Sequence, residues 1–317
     1  MTPFISFGNH LTFSDGDTQY FGKPVAATGR MLPTGPRDGY AEFTLEGLCS
    51  AGNSLAIVPM YIDPLKTNYT PDVDGPGVVG ECSTVEEVIE FFNLYNYIRS
   101  DPPLWWWQYH FADALGKSVV IALDEEGMVG FTEMNESHYT VSTNHNLLDF
   151  TNHDGNLYES IQRYGLACAM LDEITTEENL TVDAIRDILE ALSVDSTTHS
   201  LIMNPRTLDM YVYIPENYSK TIHFNLGDEI ASLGVNETRL YNITALYENW
   251  TPSTITDTTG PTSSISSECT SMETSSSSTI DSTPLPGPQL QLAMIVVFSG
   301  LGIVTISIVM LYLRKRG

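Results

Sequence analysis

Four cysteines, seven histidines and a run of aromatic residues are the side chains of this sequence best suited to chemistry. Cys49, Cys82, Cys168 and Cys269 form no C-x-x-C pair and no zinc spacing, so no metal site is expected. A Cys49–Cys82 bridge is allowed by count but not shown by it. Cys168 falls on the apolar side of a predicted helix and is expected in the core. Cys269 lies in a polar, low-complexity stretch, where it could cross-link two chains. His10, His110, His138, His145, His153, His199 and His223 are scattered, with no H-E-x-x-H. His145 directly follows Asn144, and a hydrogen-bonded structural histidine is the expectation there rather than a general base. Trp105, Trp106 and Trp107 are adjacent. Successive residues of a strand point to opposite faces, so the three cannot share one side. Trp105 and Trp107 are candidates for a ligand wall, against the blander role of core and edge packing.

Charge narrows the partners. The chain has 40 acidic and 14 basic residues, a net charge of −26 over 317 residues. Three of the basic residues are Arg314, Lys315 and Arg316, which leaves the body more acidic still. Such a surface repels nucleic acid and anionic lipid headgroups. There is no EF-hand spacing, and no cofactor is expected.

The elements that must position these residues follow from the hydrophobic pattern. Residues 108–145 read as a strand meander, with short β-branched runs separated by Asp/Gly turns. Before it, 11–13, 18–21 and 40–45 read as strands, while 22–39 and 61–79 are rich in Gly and Pro and read as loops. Ser83-Thr-Val-Glu86 has the form of a capping box, and Val85, Val88, Ile89 and Phe92 predict a helix over 84–97 with one apolar face. A second helix is predicted over 157–173, with Ile161, Tyr164, Cys168 and Leu171 as its apolar stripe. A third, 182–193, is capped by Thr181. Residues 199–203, 208–214 and 220–224 read as strands. Helices segregated from largely antiparallel strands predict an α+β layered sandwich over residues 1–249.

Residues 250–291 are dominated by Ser, Thr and Pro and read as a disordered stalk. Residues 292–313 carry no charge. At ~1.5 Å per residue a helix of this length spans roughly 33 Å, enough to cross a bilayer. The basic residues in 314–317 then predict a cytoplasmic tail and an extracytoplasmic body on a single-pass anchor. Seven Asn-x-Ser/Thr sequons, at Asn68, Asn135, Asn179, Asn217, Asn236, Asn242 and Asn249, agree with an exterior location. No basic and apolar leader follows Met1, so the expectation is that the true N-terminus lies upstream.

Several segments resemble the linear amide C–N hydrolases. These are N-terminal-nucleophile (Ntn) hydrolases that include choloylglycine hydrolase, penicillin V acylase and the acyltransferase-type peptidases. The resemblance rests on Cys82-Ser-Thr-Val-Glu-Glu-Val-Ile-Glu-Phe-Phe92, on Phe111-Ala-Asp-Ala-Leu-Gly-Lys-Ser-Val-Val-Ile121 and on Ser142-Thr-Asn-His145. Arg163-Tyr164, Leu180-Thr-Val-Asp183 and Asp209-Met-Tyr-Val-Tyr213 fall in the family's order. It covers residues 5–231 and implies an αββα sandwich.

The family's chemistry is attack on an amide by an N-terminal cysteine whose own amine is the base. By resemblance, Gly8 stands where that cysteine would be, Lys23 where an arginine or asparagine would be, Ala26 for an aspartate and Ala51 for an asparagine. Asn144 matches the family's later asparagine. The resemblance therefore implies a catalytically degenerate domain that binds a ligand, such as an acyl amide, near Asn144, His145 and the Trp run. The alternative is an active amidase or acyltransferase whose nucleophile is absent from this chain or aligned elsewhere.

Overall fold

The computed structural model describes residues 2–12, 18–32, 35–70, 77–98, 101–134, 139–153, 155–195, 197–234, 237–249, 294–299 and 307–310. In chain order the first elements are β1 (Thr2–Thr12), β2 (Thr18–Leu32), β3 (Gly35–Thr44), β4 (Cys49–Pro59), β5 (Thr67–Tyr69), α1 (Gly77–Glu81) and α2 (Val85–Leu94). Then come β6 (Tyr95–Tyr97), β7 (Leu104–Ala112), β8 (Ser118–Leu123), β9 (Val129–Glu133), β10 (Tyr139–Ser142), α3 (Leu157–Asp172) and α4 (Val182–Leu192). The rest are β11 (Thr197–Asn204), β12 (Asp209–Tyr213), β13 (Ile222–Asn225), α5 (Leu226–Ala231), β14 (Arg239–Asn242), α6 (Ile243–Glu248), β15 (Met294–Ser299) and β16 (Ser307–Met310).

All but two of the described strands form two large antiparallel sheets, while β5 and β6 pair in parallel. The first runs β14-β1-β2-β3-β4-β7-β8-β9 and the second β10-β16-β15-β11-β12-β13. Strand alternation sorts β7. Phe111 and Trp105 go to the side covered by α2, where they pack with Val85, Val88 and Phe92. Gln108 and His110 go to the other side, toward the second sheet. On the second sheet the covering helices are α3 and α4, whose Ala167, Leu171, Ile185, Ile188, Leu189 and Leu192 meet Val141, Ile202 and Tyr213. Hydrogen bonds from Asn53 to Ser142, from Ser142 to His110 and from Ser118 to Thr140 join the two sheets. The layering is thus helix, sheet, sheet, helix, an α+β sandwich as expected.

Local signals explain the helix starts. Thr84 Oγ1 accepts from Glu87 N at 3.2 Å, and the Glu87 carboxylate accepts from Ser83 N at 2.6 Å. The cap is Thr84 rather than Ser83, one residue later than expected, and the Glu87 carboxylate returns to the residue before the cap. Asp113, 1% exposed, ties the same helix end to the β7–β8 turn. Its Oδ2 accepts from Val85 N at 2.9 Å and its Oδ1 from Lys117 N at 3.0 Å. Thr181 caps α4 through Ala184 N at 3.1 Å.

Other expectations need correction. Residues 22–39, read as loop from their Gly and Pro content, belong largely to β2 and β3, because neighbouring strands supply the pairing that local propensity lacks. The buried side of α3 is Ser160, Ala167 and Leu171, while Ile161 is 44% exposed and Cys168 only half-buried. Cys49 and Cys82 are buried and are not bridged to each other.

The apolar segment 292–313 was expected as one membrane helix. Here 294–299 and 307–310 are strands that fill the second sheet between β10 and β11. An apolar run has no period of its own to separate a helix from buried strands, and Ile and Val suit both. No helix among the described residues is long and apolar enough to cross a membrane. The expected stalk, Cys269 within it, the basic tail and the sequons at Asn135 and Asn236 lie outside the described residues.

Candidate functional site

The cross-strand register places the residues of interest on the inner face of the first sheet. Residues directly opposite one another in an antiparallel pair project to the same side. One row runs Phe7, Ala26, Phe43, Cys49, Ala112, Ser118. The next runs Ile5, Thr28, Ala41, Ala51, His110, Val120. Ala26 and Ala51 therefore do share a face, one row apart, and neither carries a polar atom. Asn53 and Gln108 are opposite each other one row further along.

Gly8 does not join them. It pairs with Val25 and so falls on the alternate side of the sheet. Its φ of +144° is a conformation that residues with a Cβ rarely adopt, and a Cβ there would lie 2.7 Å from Thr238 Oγ1 and 2.9 Å from Glu237 O. The backbone of Lys23 lies in β2, and its side chain is outside the described residues.

The polar groups of the inner face form a directed chain. Asn53 Nδ2 donates to Ser142 Oγ at 2.8 Å, and Ser142 Oγ lies 3.1 Å from His110 Nδ1. On the far side of the ring, His110 Nε2 is 3.4 Å from Ser118 Oγ, which donates onward to Thr140 Oγ1 at 2.8 Å. Ser118 has one hydroxyl proton, already donated, so His110 Nε2–H must donate to it. Nδ1 is then the acceptor and Ser142 the donor. Asn53, His110 and Ser142 are each 0% exposed. Burial pushes the His110 imidazole down to about 3, so it stays neutral at physiological pH. A serine donating to an imidazole is the geometry of a nucleophile and its base. Here the pair is sealed between sheets and acts as cross-sheet glue.

Asn144 and His145 continue the same strand end. Asn144 is 2% exposed, and its Nδ2 donates to Ser54 O and Ser54 Oγ, both at 3.3 Å. Gln108 Nε2 holds the loop by donating to Thr143 O at 2.5 Å and His145 O at 2.8 Å. His145 Nδ1 lies 2.9 Å from Thr143 Oγ1 and 3.0 Å from Ser160 Oγ, while its ring stacks on Phe150. Burial, Arg163 and His153, in that order, lower its pKa. Trp107 pairs with Ser54, the residue that receives Asn144, and its ring covers Gly52. Trp105 is elsewhere. It is buried in the cluster under α2 against Phe92, Tyr97 and Tyr109, with its indole N–H on Trp107 O.

Among the described residues the inner face holds one thiol, Cys49. It is fully buried, and burial first, then the charge of Asp113, raise its pKa well above the ordinary thiol value. A nucleophilic thiolate is disfavoured there. Among the described residues no cluster of three or more His, Cys, Asp or Glu could hold a metal ion. The sequons at Asn68, Asn179, Asn217, Asn242 and Asn249 are all exposed.

Sequence reasoning missed Asn53, Gln108, His110 and Ser142 as a unit. A signal existed for two of them: Gln108 and His110 are polar residues at alternate positions of an otherwise apolar and aromatic strand. Asn53 and Ser142 are 89 residues apart, and nothing local links them.

No protein-family model matches the chain, and no curated protein matches it in sequence. Solved structures do match in shape. One is an arginine-to-leucine variant of conjugated bile acid hydrolase from Clostridium perfringens, with a TM-score of 0.54 at 15% identity, covering 76% of this chain and 88% of that one. Another is a cysteine-to-alanine mutant of the same hydrolase, with a TM-score of 0.53 at 15% identity over the same shares. The two-sheet, four-layer arrangement is the fold of conjugated bile acid hydrolase.

Proposed function

We propose that the chain is a ligand-binding domain built on a linear amide hydrolase fold, with the hydrolytic centre lost. One observation carries this reading. On the sheet face where the family's chemistry is expected, Ala26 and Ala51 offer no polar atom, and Asn53, Ser142 and His110 are buried and bonded to one another. The ligand class that fits the fold is an acyl amide, held beside Asn144, Ser54 and Trp107. The alternative, an active amidase, draws on the hydrolase named in the matching structures. Incubation with amide-conjugated bile acids and with N-acyl amino acids, followed by an assay for released amine, separates the two. Binding without turnover is expected. Turnover abolished by one substitution on the inner face would refute the degenerate reading.

In the cell the body is proposed to lie outside, glycosylated at exposed sequons and anchored through 292–313. The support is a 22-residue run without charge that ends in Arg314-Lys315-Arg316. The sheet position and the bilayer are competing places of burial for the same residues. Deleting 290–317 tells them apart. If the anchor reading holds, the truncated body is folded and is released from membranes. If β10 and β11 depend on the strands between them, the truncated body fails to fold and the anchor reading falls.

A further inference from the structure

Behind His145 lies a group of nitrogen-bearing side chains that neither the inner-face network nor the proposed ligand uses. Helix spacing puts Ser160, Arg163 and Tyr164 on the side of α3 that faces the loop 144–153. A backbone bridge joins His145 to His153, and Asn146 N donates to Asn152 O at 2.9 Å, which folds the loop back on itself. Three atoms gathered there are buried without a hydrogen-bond partner among the described residues: Arg163 Nη1, His153 Nδ1 and Asn152 Oδ1. Asn152 is 6% exposed.

A buried guanidinium nitrogen without an acceptor is costly, and in a native protein it marks the place of a water or an ion. Among the described residues the nearby carboxylates, Glu159 and Asp149, do not supply the acceptor. Glu159 gives Arg163 Nε its backbone oxygen at 3.3 Å, while its carboxylate accepts from Asn156 Nδ2 at 3.1 Å. Asp149 Oδ1 accepts from Thr151 N and Oγ1. Burial lowers the Arg163 guanidinium to about 10, with Glu159 only partly opposing it, as expected for a cation short of a counter-charge. The ionisable groups that act on His145 are Arg163 and His153, both basic. In a chain with 40 acidic and 14 basic residues, this convergence of basic groups is against the prevailing sign.

We propose that Arg163, His153 and Asn152, beside His145, form a binding site for a small oxyanion, a carboxylate, sulfonate or phosphate group. Arg163 Nη1 donates one hydrogen bond to it. His153 Nδ1 donates a second in the tautomer that carries its proton there, and the Asn152 side-chain amide, turned over, a third. Aromatic rings of Phe150 and Tyr164 flank His145 and wall the site on that side.

The test is calorimetric titration of the full chain with sodium sulfate and with sodium acetate, against sodium chloride at matched ionic strength. One sulfate or acetate per chain is expected to bind, with affinity at least tenfold weaker in Arg163→Gln and weakened also in His153→Gln. Sulfate strengthens folding in general by exclusion from protein surfaces, so the comparison between variants, not the wild-type stabilisation, is the readout. If Arg163→Gln does not fold, His153→Gln alone decides. No saturable binding of either anion, or equal binding by wild type and variants, overturns the proposal. The readout involves no turnover, so its result is separate from the question of hydrolysis.

Discussion

His110→Gln removes one buried imidazole from between the sheets, and the effect can be worked out from its environment. In the unfolded chain a histidine titrates near 6.5, while burial holds His110 at about 3 in the folded protein. Between those values the unfolded state binds a proton that the native state refuses. Stability therefore falls as pH falls through 6.5, and levels off only below the folded value. The slope is about 1.4 kcal/mol per pH unit. From pH 7 to pH 5 the His110 contribution is a loss of about 2 kcal/mol, and down to pH 3 it reaches about 4 kcal/mol. His110→Gln is itself destabilised at every pH, because Ser142 and Ser118 lose their shared partner. The informative quantity is a double difference: urea denaturation of wild type and variant at pH 7 and at pH 5. All carboxylates are common to both proteins and cancel. The wild type should lose about 2 kcal/mol more than the variant between the two conditions. Equal losses would show that His110 is already charged, or is solvated in the folded protein, and the reading of the inner face as a dry, saturated network would fall with it.

Asp113→Ala should destabilise by about 3 kcal/mol, since it removes two hydrogen bonds to a buried carboxylate and leaves Val85 N and Lys117 N without their acceptor; thermal denaturation measures it. Gly8→Cys should neither create amidase activity nor be tolerated well. The added Cβ meets Glu237 O and Thr238 Oγ1, and the backbone at φ +144° strains any side chain, together about 1–3 kcal/mol. Stable folding with new turnover would refute that placement of Gly8. Native-state labelling with a maleimide, mapped by mass spectrometry, should spare Cys49 and Cys82, at 0% and 3% exposure, and modify Cys168 faster than either.

Much of the fold was legible locally. The predicted helices correspond to α2, α3 and α4 with starts that differ by at most one residue and ends by at most three, because caps at Thr84 and Thr181 and apolar stripes at helical spacing are short-range signals. The hairpin turning at Asp113-Ala-Leu-Gly116 was legible for the same reason, though not the reach of the Asp113 carboxylate to α2. The strands in 22–39 were not legible, because Gly and Pro disfavour them locally and only neighbours in the sheet stabilise them.

The sequence by itself determined the acidic surface, the helix starts, the meander around Asp113 and the absence of polar side chains at Ala26 and Ala51. Those are properties of residue type and short spacing. Tertiary structure decided the rest. It put Gly8 on the other side of the sheet from Ala26, sent Trp105 under α2 while Trp107 met Ser54, and gave 294–299 and 307–310 strand partners. It also joined Asn53 to Ser142 and His110. Each of these depends on register between strands distant in sequence. A shift of one residue exchanges the two faces of a strand, so which side chains meet is settled only when the sheets are assembled.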